Sequence, residues 1–257
     1  MPQTRTEKAP VPSVKLGKHP PRVDVRTLRF GSYVNLAALP PIPATLDLTK
    51  GVPKWPMYSN DTIGDCTCAA AGHMIEVWTE ESRHKATTIS DLSVLAAFDK
   101  IKVVDPATGE AGANELDVLN LWRKTGIGNH KIAAFASLAP HDHSNVQAAA
   151  FLFGGVYIGL ALPKSAQGQS SWQYSGNVAG PNKPGSWGGH AVNVVGYDAN
   201  GVTVVTWGAT LNASWDFWNH YVDEAYCIIS PDFLSNGKSP QGFNMVALQQ
   251  DLHTVTA

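Results

Sequence analysis

The stretch Asn60-Asp61-Thr62-Ile63-Gly64-Asp65-Cys66-Thr67-Cys68-Ala69-Ala70-Ala71 decides how the rest of the chain is read. Gly64 and Asp65 suit a tight turn with a capping side chain, and Cys66 opens a run of apolar and helix-forming residues. The spacing of Ala70, Met74, Val77 and Trp78 predicts a helix from Cys66 to about Arg83, its inner face apolar and buried between layers. A cysteine in the first turn of such a helix meets unpaired backbone N–H groups and the positive end of the helix dipole. Both stabilise a thiolate and lower the thiol pKa from its free value of about 8.5. Cys66 is therefore a candidate nucleophile. The competing reading makes Cys66 and Cys68 two small core residues at the start of a packed helix.

The 257 residues are 44% hydrophobic and 16% charged, enough to build a sizeable core in one large or two small lobes. A net charge of -2 without a block of Lys and Arg speaks against nucleic acid or an anionic membrane as partner. Three cysteines, two of them separated only by Thr67, do not make a disulfide framework, so a reducing compartment is expected. Met1 to Pro12 lacks the apolar core of a signal peptide, and no uninterrupted apolar run reaches the length of a membrane span. The expectation is a soluble protein, cytoplasmic or phage-associated.

Residues 1–45 are rich in Pro, Lys and Arg, with a strand-like stretch near Leu28 to Val34, and form an arm. Beyond the first helix, Ser90 caps a second to about Ile101, and a third runs from about Ala113 to Lys124. His130 to Phe135 is β-like and Ser144 to Phe153 helical. Then the texture changes to β-branched runs at Gly155–Leu162, His190–Tyr197 and Val202–Trp207, the last two joined by the turn Asp198-Ala199-Asn200-Gly201. Tyr221 to Ser230 supplies a further strand. A helical half is followed by a sheet.

A nucleophilic thiol needs a base held rigidly on the opposite half. His190 fits, because it follows Gly188-Gly189, where a backbone passes closely, and opens a buried strand. His73 lies mid-helix, and His141 and His143 flank Asp142 without a further Cys or His ligand pattern, so no metal site and no cofactor is expected.

Gly64-Asp65-Cys66 at a helix start, Asn60 six residues earlier, and His190–Tyr197 followed by a hairpin and Thr206-Trp207-Gly208 together resemble the papain-like cysteine peptidases, as a divergent bacterial or phage-type member. The histidine follows the cysteine by 124 residues, against about 130 to 150 in papain-like enzymes. The likeness covers about Ala44 to Ser230. It implies an α+β, two-lobe fold: a helical N-terminal lobe (about 60–135) and an antiparallel, half-barrel β lobe (about 136–257), together the catalytic domain 46–257. The site lies in the cleft between them. It further implies that Cys66 is the nucleophile, His190 the base and acid, Asn60 an oxyanion donor in place of the family's glutamine, and Trp207 the cover over the histidine's partner.

The departures are Thr67, where the family has an aromatic residue, and the missing asparagine that orients the histidine. Its place falls on Val205 or Thr206, depending on the alignment. Valine accepts no hydrogen bond and threonine offers only a short hydroxyl, which leaves the third member unassigned, with a water or backbone carbonyl as substitutes. The arm is too short for the family's helical inhibitory segment. The expected function is a cysteine-nucleophile hydrolase acting on a peptide or protein substrate through a Cys66 thioester. The alternatives are an inactive papain-fold binding or structural protein, and amide chemistry on isopeptides, peptidoglycan or an acyl acceptor.

Overall fold

A computed structural model describes residues 14–33, 40–234 and 238–240. Met1 to Pro12, Val34 at the end of the strand-like stretch, and the chain from residue 241 onward lie outside them. The arm contributes β1 (Leu28–Arg29) and the single turn α1 (Phe30–Tyr33), and β2 (Leu46–Asp47) follows it. Helix α2 (Cys66–Arg83) has the extent its sequence predicts. It is enclosed more completely than one apolar face requires, since every residue from Cys66 to Thr79 is buried. Its start also differs from expectation. Asp65 stands at the N-cap but its side chain makes no capping bond; the Asp65 carbonyl accepts from the N–H groups of Cys68 and Ala69.

Helix α3 (Asp91–Phe98) is capped by Ser90, whose Oγ accepts from the Ser93 N–H. The short strands β3 (Val103–Val104) and β4 (Ala111–Gly112) pair with each other and lead to α4 (Glu115–Lys124). That helix begins later than its apolar pattern suggests, because the Asn114 side chain caps the Leu116 N–H. Strand β5 (Ala134–Leu138) is likewise displaced from His130, whose backbone closes a turn with Ile127. After α5 (His143–Phe153) come β6 (Val156–Leu162), β7 (Ser171–Trp172), β8 (Gly188–Tyr197), β9 (Gly201–Thr206) and β10 (Ala209–Ser214). Helix α6 (Trp215–Tyr221) and β11 (Val222–Ile229) complete the ordered core. The sequence pattern missed β10 and α6: half-exposed polar residues hide the strand, and an aromatic cluster without clear helical spacing hides the helix.

The strands form one large, mostly antiparallel sheet that does not close, in the order β1-β5-β11-β6-β8-β9-β10-β7, with β2 added on β8. Alternation along β6 divides the interior. Val156, Ile158, Leu160 and Leu162 face a core shared with α5 and α6, while Tyr157 faces the helices α2, α3 and α4. This is an α+β fold with helices packed on both faces of the sheet. Helix α2 is fixed against it by Asn193 Nδ2, which donates to the Ala70 carbonyl at 2.6 Å, and by the Tyr157 hydroxyl, which donates to the Thr67 carbonyl at 2.9 Å. No helix among the described residues is long and apolar enough to cross a membrane.

Trp78 joins three elements. It is fully buried on α2, stacks on Trp122 of α4 with ring centroids 5.3 Å apart, and donates its Nε1–H to the Phe153 carbonyl at the end of α5. Trp78→Ala is expected to lower the unfolding free energy by about 3–5 kcal/mol in denaturant titration, whereas Leu92→Ala, on the open face of α3, stays within about 0.5 kcal/mol.

Candidate active site

The start of α2 and the start of β8 meet, so Cys66 and His190 line the same cavity together with Asn60, His73, Thr206 and Trp207. Cys68 does not reach it. Both Cys66 and His190 are 1% exposed. The imidazole Nε2 lies 2.7 Å from Thr206 Oγ1, and Nδ1 is buried without a hydrogen-bond partner. Of the two residues that the alignment offered as the histidine's partner, Thr206 therefore holds the ring. Trp207 lies flat on it, with centroids 4.4 Å apart and planes at 18°. Asn60 is buried beside the helix start, where its Nδ2 donates to the Ile63 carbonyl at 3.0 Å and its side chain also interacts with the Asp65 carboxyl. His73 hydrogen-bonds through Nε2 to the Pro56 carbonyl at 2.8 Å, a structural bond within the wall of the cavity.

The cavity measures only about 10 Å³, because the N-terminal arm fills the cleft above it. The Lys15 N–H donates to the Asn60 carbonyl, and the Gly17 and Lys18 N–H groups both point to the Gly189 carbonyl. The Ala113 N–H donates to the Gly17 carbonyl and the His19 N–H to the Ala113 carbonyl, so the arm pairs as a strand with the segment before α4. Trp207 Nε1 donates to the Lys15 carbonyl, which ties the arm to the residue that covers His190. Glycines make the passage possible. A Cβ on Gly17 would overlap the Gly64 carbonyl oxygen, one on Gly112 the Gly17 carbonyl oxygen, and one on Gly189 the Lys18 carbonyl oxygen. The close backbone approach expected at Gly188-Gly189 is thus an approach by the chain's own arm.

No protein-family model matches the sequence, and no curated protein matches it. Solved structures do. Xylellain, a cysteine protease from Xylella fastidiosa, superposes with a TM-score of 0.60 at 18% identity, over 84% of this chain and 96% of that one. Digestive procathepsin L 3 of the Tenebrio molitor larval midgut gives 0.56 at 12% identity, over 84% and 76%. A Carica candamarcensis cysteine protease determined in complex with E-64 gives 0.50 at 15% identity, over 73% and 99%. The fold is papain-like. At these identities the likeness carries the fold, and the chemistry rests on the residues of this chain.

In this papain-like fold the charge state of the pair is the reverse of what an isolated helix start implies. Burial pushes the Cys66 thiol up to about 12 despite help from the Ala191 and Gly17 N–H groups, and the neighbouring Asp65 carboxyl adds to the rise. Burial also pushes His190 down to about 3. With the arm in place, burial favours the neutral form of both groups. The sequence reading missed the arm's role because no periodic pattern marks an extended strand pairing with a distant loop. The one available signal was Gly17 in a Lys-flanked stretch, to be matched with Gly64, Gly112 and Gly189.

Gly17→Ala should force the arm out of the cleft. Iodoacetamide labelling of Cys66, followed by intact mass, is expected to accelerate at least about tenfold over the parent chain. The pH dependence has a definite sign. In the closed chain the ring stays neutral down to about pH 3, whereas a solvated imidazole takes its proton near about 6.5. The open form binds more protons between those values, so acidification from about 6.5 towards 3 favours opening. NMR titration of the His190 ring in the parent and in Gly17→Ala measures both limits.

Proposed function

We propose that the chain is a cysteine peptidase of papain-like type whose arm holds it closed. The observation that carries this reading is a thiol at the first turn of α2 lining one cavity with an imidazole that is clamped at Nε2 by Thr206, stacked under Trp207 and unpartnered at Nδ1. Once the arm leaves and water enters, the helix dipole and the imidazolium favour the thiolate. The sulfur attacks the carbonyl carbon of the substrate, forming the S–C bond and placing the negative charge on oxygen, where the Cys66 backbone N–H and the Asn60 amide are the donors. Collapse of this intermediate breaks the C–N bond as His190 passes its proton to the leaving amine. His190 then takes a proton from water, which hydrolyses the thioester and frees the acid. The domain 46–257 supplies this machinery, the arm of residues 1–45 regulates it, and the partner is a peptide or protein substrate.

The test uses the full chain opened by Gly17→Ala, with an unfolded protein as substrate. Adding Cys66→Ala should abolish hydrolysis and labelling by E-64, while Cys68→Ala retains both. Asn60→Ala is expected to lower turnover about 10²- to 10³-fold with little change in KM, and Thr206→Val to lower kcat while leaving KM in place. Labelling at Cys66 without peptide-bond cleavage would redirect the reading to another amide or ester. An opened chain whose Cys66 reacts no faster than an ordinary thiol would return it to a binding or structural protein.

A further inference from the structure

The arm carries one side chain that its role as a cover does not require. Lys18 leaves the backbone beside Gly189 and buries its ammonium, with the side chain 1% exposed, in a pocket between β6, β11 and the start of α4. Lys18 Nζ lies 3.0 Å from Asp223 Oδ1, 3.1 Å from Asp223 Oδ2 and 3.0 Å from Glu224 Oε1, and it also donates to the His19 carbonyl at 3.2 Å. Glu224 is fixed in turn by the Tyr226 hydroxyl, which donates to Oε2 at 2.9 Å. Glu115 faces the same ammonium, is fully buried, and has no hydrogen-bond partner on either oxygen. The space for the aliphatic stem exists because residue 159 is glycine: a Cβ there would overlap Lys18 Cε.

A lysine buried merely as an anchor needs one carboxylate. Here three carboxyl groups face one ammonium, and one of them, Glu115, has no other partner. Burial alone would lower the Lys18 pKa, yet Glu115, Glu224 and Asp223 outweigh it and raise the pKa above its ordinary value. When the arm leaves, the pocket is left with buried carboxyl groups and a slot of lysine length, a state that favours the entry of another cation. We propose that this pocket is the specificity site of the cleft and that it selects peptide segments carrying a lysine, with Lys18 as the built-in occupant that competes with them. The inference rests on the peptidase reading for the identity of the substrate, while the pocket's preference is a binding property that can be measured without turnover.

The experiment is fluorescence anisotropy with a dye-labelled synthetic peptide of residues 14–20, added to the full chain opened by Gly17→Ala. The peptide with Lys18 is expected to bind at least about tenfold more tightly than its Lys18→Leu counterpart, the discrimination due to its charge-assisted bonds to Asp223 and Glu224. With Glu224→Gln added to the protein, the difference should shrink below about threefold. Equal affinity for the two peptides, or discrimination untouched by Glu224→Gln, overturns the proposal. Lys18→Glu, which sets like charges against Glu224 and Asp223, opens the chain by a second route should Gly17→Ala not fold. If both variants shield Cys66 from iodoacetamide as the parent does, the built-in occupant is refuted. Peptide discrimination together with an unreactive Cys66 would uphold the pocket and remove only the peptidase reading.

Discussion

The buried bond from Asn193 Nδ2 to the Ala70 carbonyl, 2.6 Å long, joins the central strand β8 to the central helix α2. Everything at the site is referred to that junction. A helix carbonyl already engaged within its own helix accepts a second donor, and the donor comes from a strand with a buried side chain on either side of it, Val192 and Val194. The helix and strand are thereby fixed in register as well as in contact. Cys66, four residues before Ala70, and His190, three before Asn193, are delivered to the same cavity by two rigid elements. The Tyr157 hydroxyl on Thr67 locks the first turn of the helix from the neighbouring strand. Small residues in α2, Ala69 to Gly72, let the sheet and the Tyr58 ring approach closely; a Cβ on Gly72 would lie 2.6 Å from Tyr58 Cε2.

Much of this was legible in the sequence, for physical reasons that differ from element to element. Helix α2 shows itself through its run of helix formers, and β6, β8 and β9 through β-branched density and the Asp198–Gly201 turn. Cys66 and His190 could be paired because each stands at the start of an element, where polar chemistry is compatible with a buried neighbour. Thr206 remained undecided because the choice between it and Val205 depends on the alternation of β9, and a one-residue shift in register sends the side chain to the other face. Only the hydroxyl seen at 2.7 Å from the ring settles it. The thiolate expected from the helix start meets a different environment in the fold: a strand of the chain itself lies beside Cys66, and burial raises the thiol pKa. Asp65 shows the same limit, since a good capping residue in sequence made no capping bond in the fold.

The arm and the cleft are complementary at two scales. Backbone meets backbone along Gly17, Gly64, Gly112 and Gly189, where the absence of Cβ atoms sets the depth of insertion, and one charged side chain then fixes the position along the groove. Sequence reading is blind to such a match because its parts, from Gly17 to Glu224, are scattered along the chain and none of them forms a periodic pattern. A covering segment of helical type would have been recognisable. An extended one carries no signature beyond glycine and a lysine.

The arm lying over Cys66 has a consequence for the chemical lifetime of the protein. All three cysteines, Cys66, Cys68 and Cys227, are free and buried, and oxidation by peroxide begins from the accessible thiolate. A sulfur kept as the neutral thiol and shut off from solvent does not start on the path from sulfenic to sulfonic acid, the last step of which is irreversible. Burial beneath the arm and a raised pKa thus both protect the Cys66 sulfur from peroxide.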